Sequence, residues 1–444
     1  MVCAYEASHL NIISAFTKTT HTHLHTMSPS REATPPPQEG FALLTSTHRD
    51  LVEATAFNSY GTRFATGSAD GKIKVYNRHR DGSWNLCDTW GAHNGGEVLE
   101  LQWLPPTIHP NLIASIGTDG RFKLWVEDPT LPPNKGRRFN SHNNRPVWET
   151  RSHTRAPFLS FSIKHNAEIR HTYIALLDRD AQLIVYENEE PENMTSWTEL
   201  DRVNVCEKPA RGEEVSFKVA FDLNLEPCYR AIKEGVPRDA LSLVVASMHK
   251  ASIWRTKEIS HTVSLGSAST KELYLAAELR GHRGLVRDVA WAAGNIRGWD
   301  EVATACKDGV VRVFRVVAGR DAEGMGGRSS DFEKVPEKII ARSSVHIAME
   351  NGAKNVPSGI GAGLAGQRTS RNRQQEAQGR DGAVIHAVKE ISRLEVDRAP
   401  VWKVEFDADG QLLGSTGDDG KLMMWRREPT GIWSKSAELA MNRA

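Results

Sequence analysis

The chain has 444 residues, 39% hydrophobic and 25% charged, with a formal net charge of +1. That is ample for a large core, and the charge balance excludes the strongly basic surface by which a protein recruits nucleic acid or an anionic membrane. Five scattered cysteines without CxxC spacing point to a reducing compartment, cytosol or nucleoplasm. No apolar run approaches the roughly 18 residues of a membrane span, and the first residues lack the pattern of a secretory signal.

Residues 1–40 are rich in Ser, Thr, His and Pro, the composition of a disordered tail. Its alternating His21, His23 and His25 read as solvated side chains rather than a metal site. Phe41 to Thr47, FALLTST, is a strand candidate. From there a unit recurs: an alternating strand, a turn, a second strand, an acid usually followed by Gly, and a third strand closed by an aromatic. The closing stretches are GSADGKIKVY, GTDGRFKLW, LDRDAQLIVY, ASMHKASIW, CKDGVVRVF and GDDGKLMMW. Asp followed by Gly tolerates the positive φ of a tight hairpin. The turn acids are Asp70, Asp119, Asp180, Asp308 and Asp419, with Met248 in that place in the fourth unit.

The first strands are VEATAF, VLELQW, FLSFSI, VSFKVAF, VRDVAW and VWKVEF, and His48, His93, His153 and His282 stand just before four of them. Such recurrence marks a structural histidine, held by the turn acid, rather than a general base. A meander cannot bury both its faces alone, so the units must stack beside copies of themselves. The pattern resembles the WD40 family of β-propellers, although no literal Trp-Asp closes any unit.

A fourth strand follows each closing aromatic, beginning near Trp84, Pro146, Trp197, Leu273, Val388 and Ile432. The fifth unit reaches its fourth strand only after a Gly-, Ser- and Arg-rich insertion at about 317–387. Every unit therefore owns four strands, and FALLTST is left over. The expected fold is all-β: an open six-bladed WD40 propeller at 41–444 whose N-terminal strand awaits a partner-completed seventh blade. An exposed strand edge invites a strand from another chain. If Ile432 to Leu439 were instead a frayed tail, FALLTST would close an ordinary six-bladed ring.

No reaction is written in the motifs. GAGLAG, from Gly361 to Gly366, follows no strand and opens no helical pattern, and the Gly-Lys pairs after Asp70 and Asp419 are hairpin turns. GxSxG, HExxH and cysteine–histidine zinc spacings are absent. The expectation is a non-enzyme without cofactor, metal, small-molecule substrate or direct nucleic-acid contact. Trp103, Trp125, Trp254, Trp291, Trp402 and Trp425 fall in register at strand ends, where packing between blades is expected. The loops at 128–144 and 224–239 are expected on the surface.

The first and last repeats, from His48 to Trp103 and from Ala399 to Leu439, resemble those of the Seh-type nucleoporins, relatives of the small propeller of the COPII vesicle coat. The resemblance implies a scaffold subunit of the Y-shaped nuclear pore coat at the nuclear envelope, supporting transport of mRNA and protein. It implies an α-helical scaffold nucleoporin that inserts a blade, contact with other Y-complex subunits, and a second role in a vacuolar SEA-type coat that regulates TOR signalling. By carry-over, Phe41, Ala42, Leu43, Leu44, Thr45, Val52, Ala54, Val401 and Lys403 would flank the inserted blade. A closed adaptor propeller and the COPII relative itself are the alternatives.

Overall fold

The computed structural model describes Leu44 and residues 48–139, 145–263, 266–294, 298–319, 382–396 and 399–440. The expected tail, the rest of Phe41 to Thr47 and residues 320–381 of the insertion lie outside these.

Period-two strands broken by tight turns can form only antiparallel meanders, and six appear, each of four strands in sequence order. Blade one is Val52–Phe57, Arg63–Ser68, Lys72–Arg78 and Trp84–Gly91; blade two is Val98–Trp103, Leu112–Gly117, Arg121–Val126 and Trp148–Arg151. Blade three is Phe158–Asn166, His171–Asp178, Gln182–Asn188 and Thr198–Asn204; blade four is Phe217–Phe221, Ser242–Ser247, Lys250–Val263 and Gly266–Leu279. Blade five is Val286–Trp291, Asp300–Cys306, Val310–Ala318 and His386–Glu395; blade six is Val401–Phe406, Leu412–Gly417, Lys421–Arg427 and Trp433–Ala440. The last strand pairs with Lys421–Arg427 along its whole length, so it is no frayed tail.

The turns explain the Asp-Gly pairs. Gly71 has φ +73°, and a Cβ there would stand 2.3 Å from the His93 carbonyl oxygen, so no other residue fits. Blade three manages the same turn without glycine, placing Ala181 at φ 67°, whereas blade four makes a shorter turn through Met248, at φ 57°, and His249.

Stacking supplies the burial that a single meander lacks. Five apolar cores join consecutive blades. Ile73 and Val75 meet Ile113 and Trp125; Phe122 and Leu124 meet Phe161 and Ile174; Leu183 and Val185 meet Leu243 and Val245. Val244 and Ile253 meet Val302 and Phe314, and Ala303 and Val313 meet Leu413 and Trp425. The inner strands are also tied across the seams: the Phe161, Val219 and Val404 amides donate to Glu100 (3.1 Å), Ser160 (3.2 Å) and Asp288 (3.1 Å). No sixth core joins blade six to blade one among the described residues. The ring is open.

Three expectations are corrected. The 128–144 loop is not all surface: Phe139 is buried and stacks on Trp90 at 4.6 Å, because the loop folds over the seam between blades one and two. The 224–239 loop contains a short helix, α1 (Tyr229–Lys233), whose Ala231 joins Cys228 and Val236 in burial against Ala318. Trp402 is not core; Arg287 stacks on it at 4.3 Å and its Nε1 donates to Asp418 at 2.6 Å in a solvent-exposed contact. Phe122, fully buried between blades two and three, tests the stacking: Phe122→Ala should lower the unfolding free energy by about 3–5 kcal/mol, read by urea denaturation.

Candidate functional site

Two features stand out from the repeat: the polar contacts that tie the loop before an inner strand to a turn acid, and the open seam. In blade two the contacts form a complete chain. Trp125 Nε1 donates to Ser115 Oγ (3.0 Å), Ser115 Oγ lies 2.9 Å from His93 Nε2, and His93 Nδ1 lies 2.8 Å from Asp119 Oδ1. An ionised Asp119 only accepts, so Nδ1 carries the proton and Nε2 accepts from Ser115. Asp119 also accepts from the Arg121 amide (3.0 Å) and Lys123 Nζ (2.9 Å). Burial works to raise the Asp119 carboxyl, but His93 and Lys123 outweigh it and hold it well below the usual carboxylate range. Acid, histidine and serine stand in hydrolase order, yet His93 and Ser115 are both 0% exposed and the serine is already engaged twice. The chain locks a loop to a hairpin and presents nothing to a substrate.

Other blades keep parts of this chain. His48 Nε2 reaches Thr66 Oγ1 at 2.8 Å and its Nδ1 stands 3.4 Å from Asp70. His282 bonds Thr304 at 2.9 Å, while Asp308 is taken by Arg312 at 2.8 Å. Burial, and then Arg312, lower His282 to about 4. Asp419 accepts from the Lys421 amide (3.1 Å), with Trp425 on Ser415 at 2.9 Å. Blade three departs from the expectation. Asp180 is only 14% exposed at its side chain and pairs with Lys208 (2.7 Å), and the holding acid is Asp178, fully buried, which accepts from the Ser152 hydroxyl, Thr154 Oγ1 (2.9 Å) and the Asp180 and Gln182 amides (2.9 Å each). Ser152 fills the histidine's place, and His153 turns out to Glu199 (3.0 Å). A hydroxyl bonded to a buried carboxylate does the same work two residues earlier, which the spacing from the closing aromatic could not reveal.

The open seam is defined by what its equivalents do elsewhere. Trp103, Ile113 and Trp125 of blade two, and Phe406, Leu413, Trp425 and Trp433 of blade six, pack on the preceding blade. The same row in blade one is Phe57, Phe64, Tyr76 and Trp84, with Phe57–Phe64 at 4.5 Å, Phe57–Trp84 at 5.7 Å and Phe64–Trp84 at 6.1 Å. These aromatics belong to none of the five inter-blade cores, and Phe57, Phe64 and Trp84 are only half-buried. Across the seam Leu422 and Met424 of blade six form a small cluster apart from the other cores, with Leu439 half exposed on the neighbouring strand.

Of the residues expected to flank an inserted blade, Phe41, Ala42, Leu43 and Thr45 lie outside the described residues, and Leu44 is half-buried and in no strand. Val52 shares the register of Val98, which faces backward, and so looks into the seam. Lys403, 35% exposed, occupies the forward-facing position of Glu100 and Asp288, and its Nζ lies 4.0 Å from Asp288. Ala54 and Val401 do not look into the seam; each is buried in the core with the adjoining blade. The reason is a bulge after the first residue of both inner strands, which shifts the alternation so that Val401 and Val404 share a face. The aromatic row was legible in principle, since its members occupy the positions of core aromatics in other units. Among the described residues, His171, Glu187 and Glu189 bring one potential metal-ligand atom each within 4.8 Å, with His171 and Glu187 already paired at 2.7 Å.

Fold and repeated contacts define a WD40 β-propeller with one unclosed seam. The WD40 family (WD domain, G-beta repeat) matches residues 42–77, 274–315 and 389–426. The chain is 40% identical to nucleoporin SEH1 of Chaetomium thermophilum, across 89% of this chain and 93% of that protein. It is 27% identical to nucleoporin SEH1 of Saccharomyces cerevisiae (86% and 94%) and 21% identical to that of Homo sapiens (89% and 87%). The chain belongs to the SEH1 nucleoporin family.

Asp178→Ala should cost about 2–4 kcal/mol by leaving buried donors unsatisfied, whereas Asp180→Ala should stay within about 0.5 kcal/mol of the parent, both by urea unfolding. Burial also lowers His109 to about 4. His109 and His282 thus take protons in the unfolded chain near 6.5 that the folded chain refuses until about 4. Stability should fall as pH drops through that window, by at most about 1.4 kcal/mol per pH unit for each histidine, checked by urea midpoints between pH 7 and 4.

Proposed function

We propose that this chain is a structural scaffold subunit of the nuclear pore coat, whose open seam receives a blade from an α-helical scaffold nucleoporin. The observation that carries the reading is the missing sixth core: six complete blades, five joints, and aromatic and aliphatic side chains on both walls of the gap. Phe41 to Thr47 is the fourth strand of the added blade, and the partner donates three. Val52, Phe57, Phe64 and Trp84 form one wall; Lys403, Leu422 and Met424 form the other. A blade-sized insertion buries above roughly 2,000 Å² in total, in the range of permanent assemblies. Kinship with proteins named nucleoporin SEH1 supports the address at the pore among other nucleoporins; contact with other Y-complex subunits and support of mRNA and protein transport belong to the same proposal. The same socket serves a second assembly, a SEA-type coat at the vacuolar membrane in TOR signalling. The role is structural rather than enzymatic; among the described residues the hydrolase-like constellation at Asp119, His93 and Ser115 is sealed.

The test is affinity purification of the full chain with mass spectrometry. The parent should retain an α-helical nucleoporin in equal amount, the Phe57→Ser/Phe64→Ser variant should lose it, and the remote Leu223→Ser/Leu225→Ser variant should keep it. Folding of each is checked by circular dichroism. Retention of the partner by the folded Phe57→Ser/Phe64→Ser variant would overturn the reading.

A further inference from the structure

Hairpin ends alternate along a meander, so the first and third turns of each blade lie opposite its Asp-Gly turn. At that opposite end, between blades five and six and away from the open seam, is a cleft of about 860 Å³ lined by Trp299, Arg315, Gln411, Arg426, Arg427 and Glu428 among others. Behind this lining is Glu301, 2% exposed at the side chain, whose Oε1 takes Arg427 at 2.7 Å, Trp299 Nε1 at 2.9 Å and Arg315 at 3.5 Å. Two guanidinium groups thus share one carboxylate oxygen. Arg315 is held flat, its Cζ 4.2 Å from the centre of the Trp299 ring, which fixes the direction of its N–H fork. The facing turn is shaped to leave it room: Gly431 has φ +84°, and a Cβ there would stand 3.0 Å from Arg315 Nη2. Arg426 and Glu428, both exposed, also line the cleft.

We propose that this cleft docks an acidic peptide segment of a partner protein, its carboxylates received by Arg315, Arg426 and Arg427. Guanidinium forks match carboxylates bidentately, and two of the three are already ordered by Glu301 and Trp299, so little freedom is lost on binding. Three guanidiniums against two carboxylates leave a small positive excess. That suits a peptide bearing a few acids; a nucleic acid or a lipid surface calls for a longer run of cations, and Glu428 repels dense phosphate.

The test is fluorescence anisotropy of a labelled ten-residue peptide alternating Asp and Gly, titrated with the full chain at low salt. Saturable binding is expected, weakened by added salt and about tenfold weaker for Arg426→Glu, an exposed position whose change leaves the urea midpoint in place. Gly431→Ala should weaken it too, by displacing Arg315. The proposal is overturned if the peptide does not bind, if an Asn-Gly peptide binds equally, or if Arg426→Glu binds like the parent. It is equally overturned if single-stranded RNA or phosphatidylserine vesicles bind more tightly than the peptide through the same arginine.

Discussion

Everything in this molecule depends on one blade packing its apolar face against the next. A four-stranded meander with two apolar faces has no stable existence in water, so each blade is completed by its neighbours, and the sequence of joints is the fold. Among the described residues five joints are made and the sixth is not. The surface left over is not generic: Phe57, Phe64 and Tyr76 stand where Trp103, Ile113 and Trp125 stand in blade two, and those are core residues. That wall has the same make-up as the surfaces that, in the other blades, meet the preceding blade.

The polar contacts serve the same stacking. The chain Trp125–Ser115–His93–Asp119 fixes the loop that carries the polypeptide from one blade into the next, so each blade arrives at a set position. Variation among the blades is informative because the task survives it. Ser152 and Asp178 replace histidine and turn acid in blade three, and Arg312 takes Asp308 in blade five. What persists in blades one, two, three and five is a mostly or fully buried carboxylate that accepts from several donors, which a low-dielectric site favours whatever the donors are.

Much of this was legible in the chain itself. The recurrence of Asp-Gly turns and closing aromatics specifies antiparallel hairpins locally, because turn chemistry and period-two alternation act over a few residues. Strand counting likewise placed blade six's own fourth strand at Ile432 to Leu439, where the structure has Trp433–Ala440, and hence a ring without a strand to share. Individual site residues were less legible. Asp180 has the spacing and Asp178 the contacts; Ala54 and Val401 have the alternation, but a bulge turns them into their own seams.

Sequence alone therefore determined the unit, its number and its four-strand composition, since these follow from short-range turn and strand preferences. Tertiary structure alone decided which face of each strand meets a neighbour, that Phe139 leaves its loop to stack on Trp90, and that Arg315, Arg426 and Arg427 converge on one cleft. Those outcomes depend on bulges and on contacts between residues far apart in the chain, which only the stacked blades bring together.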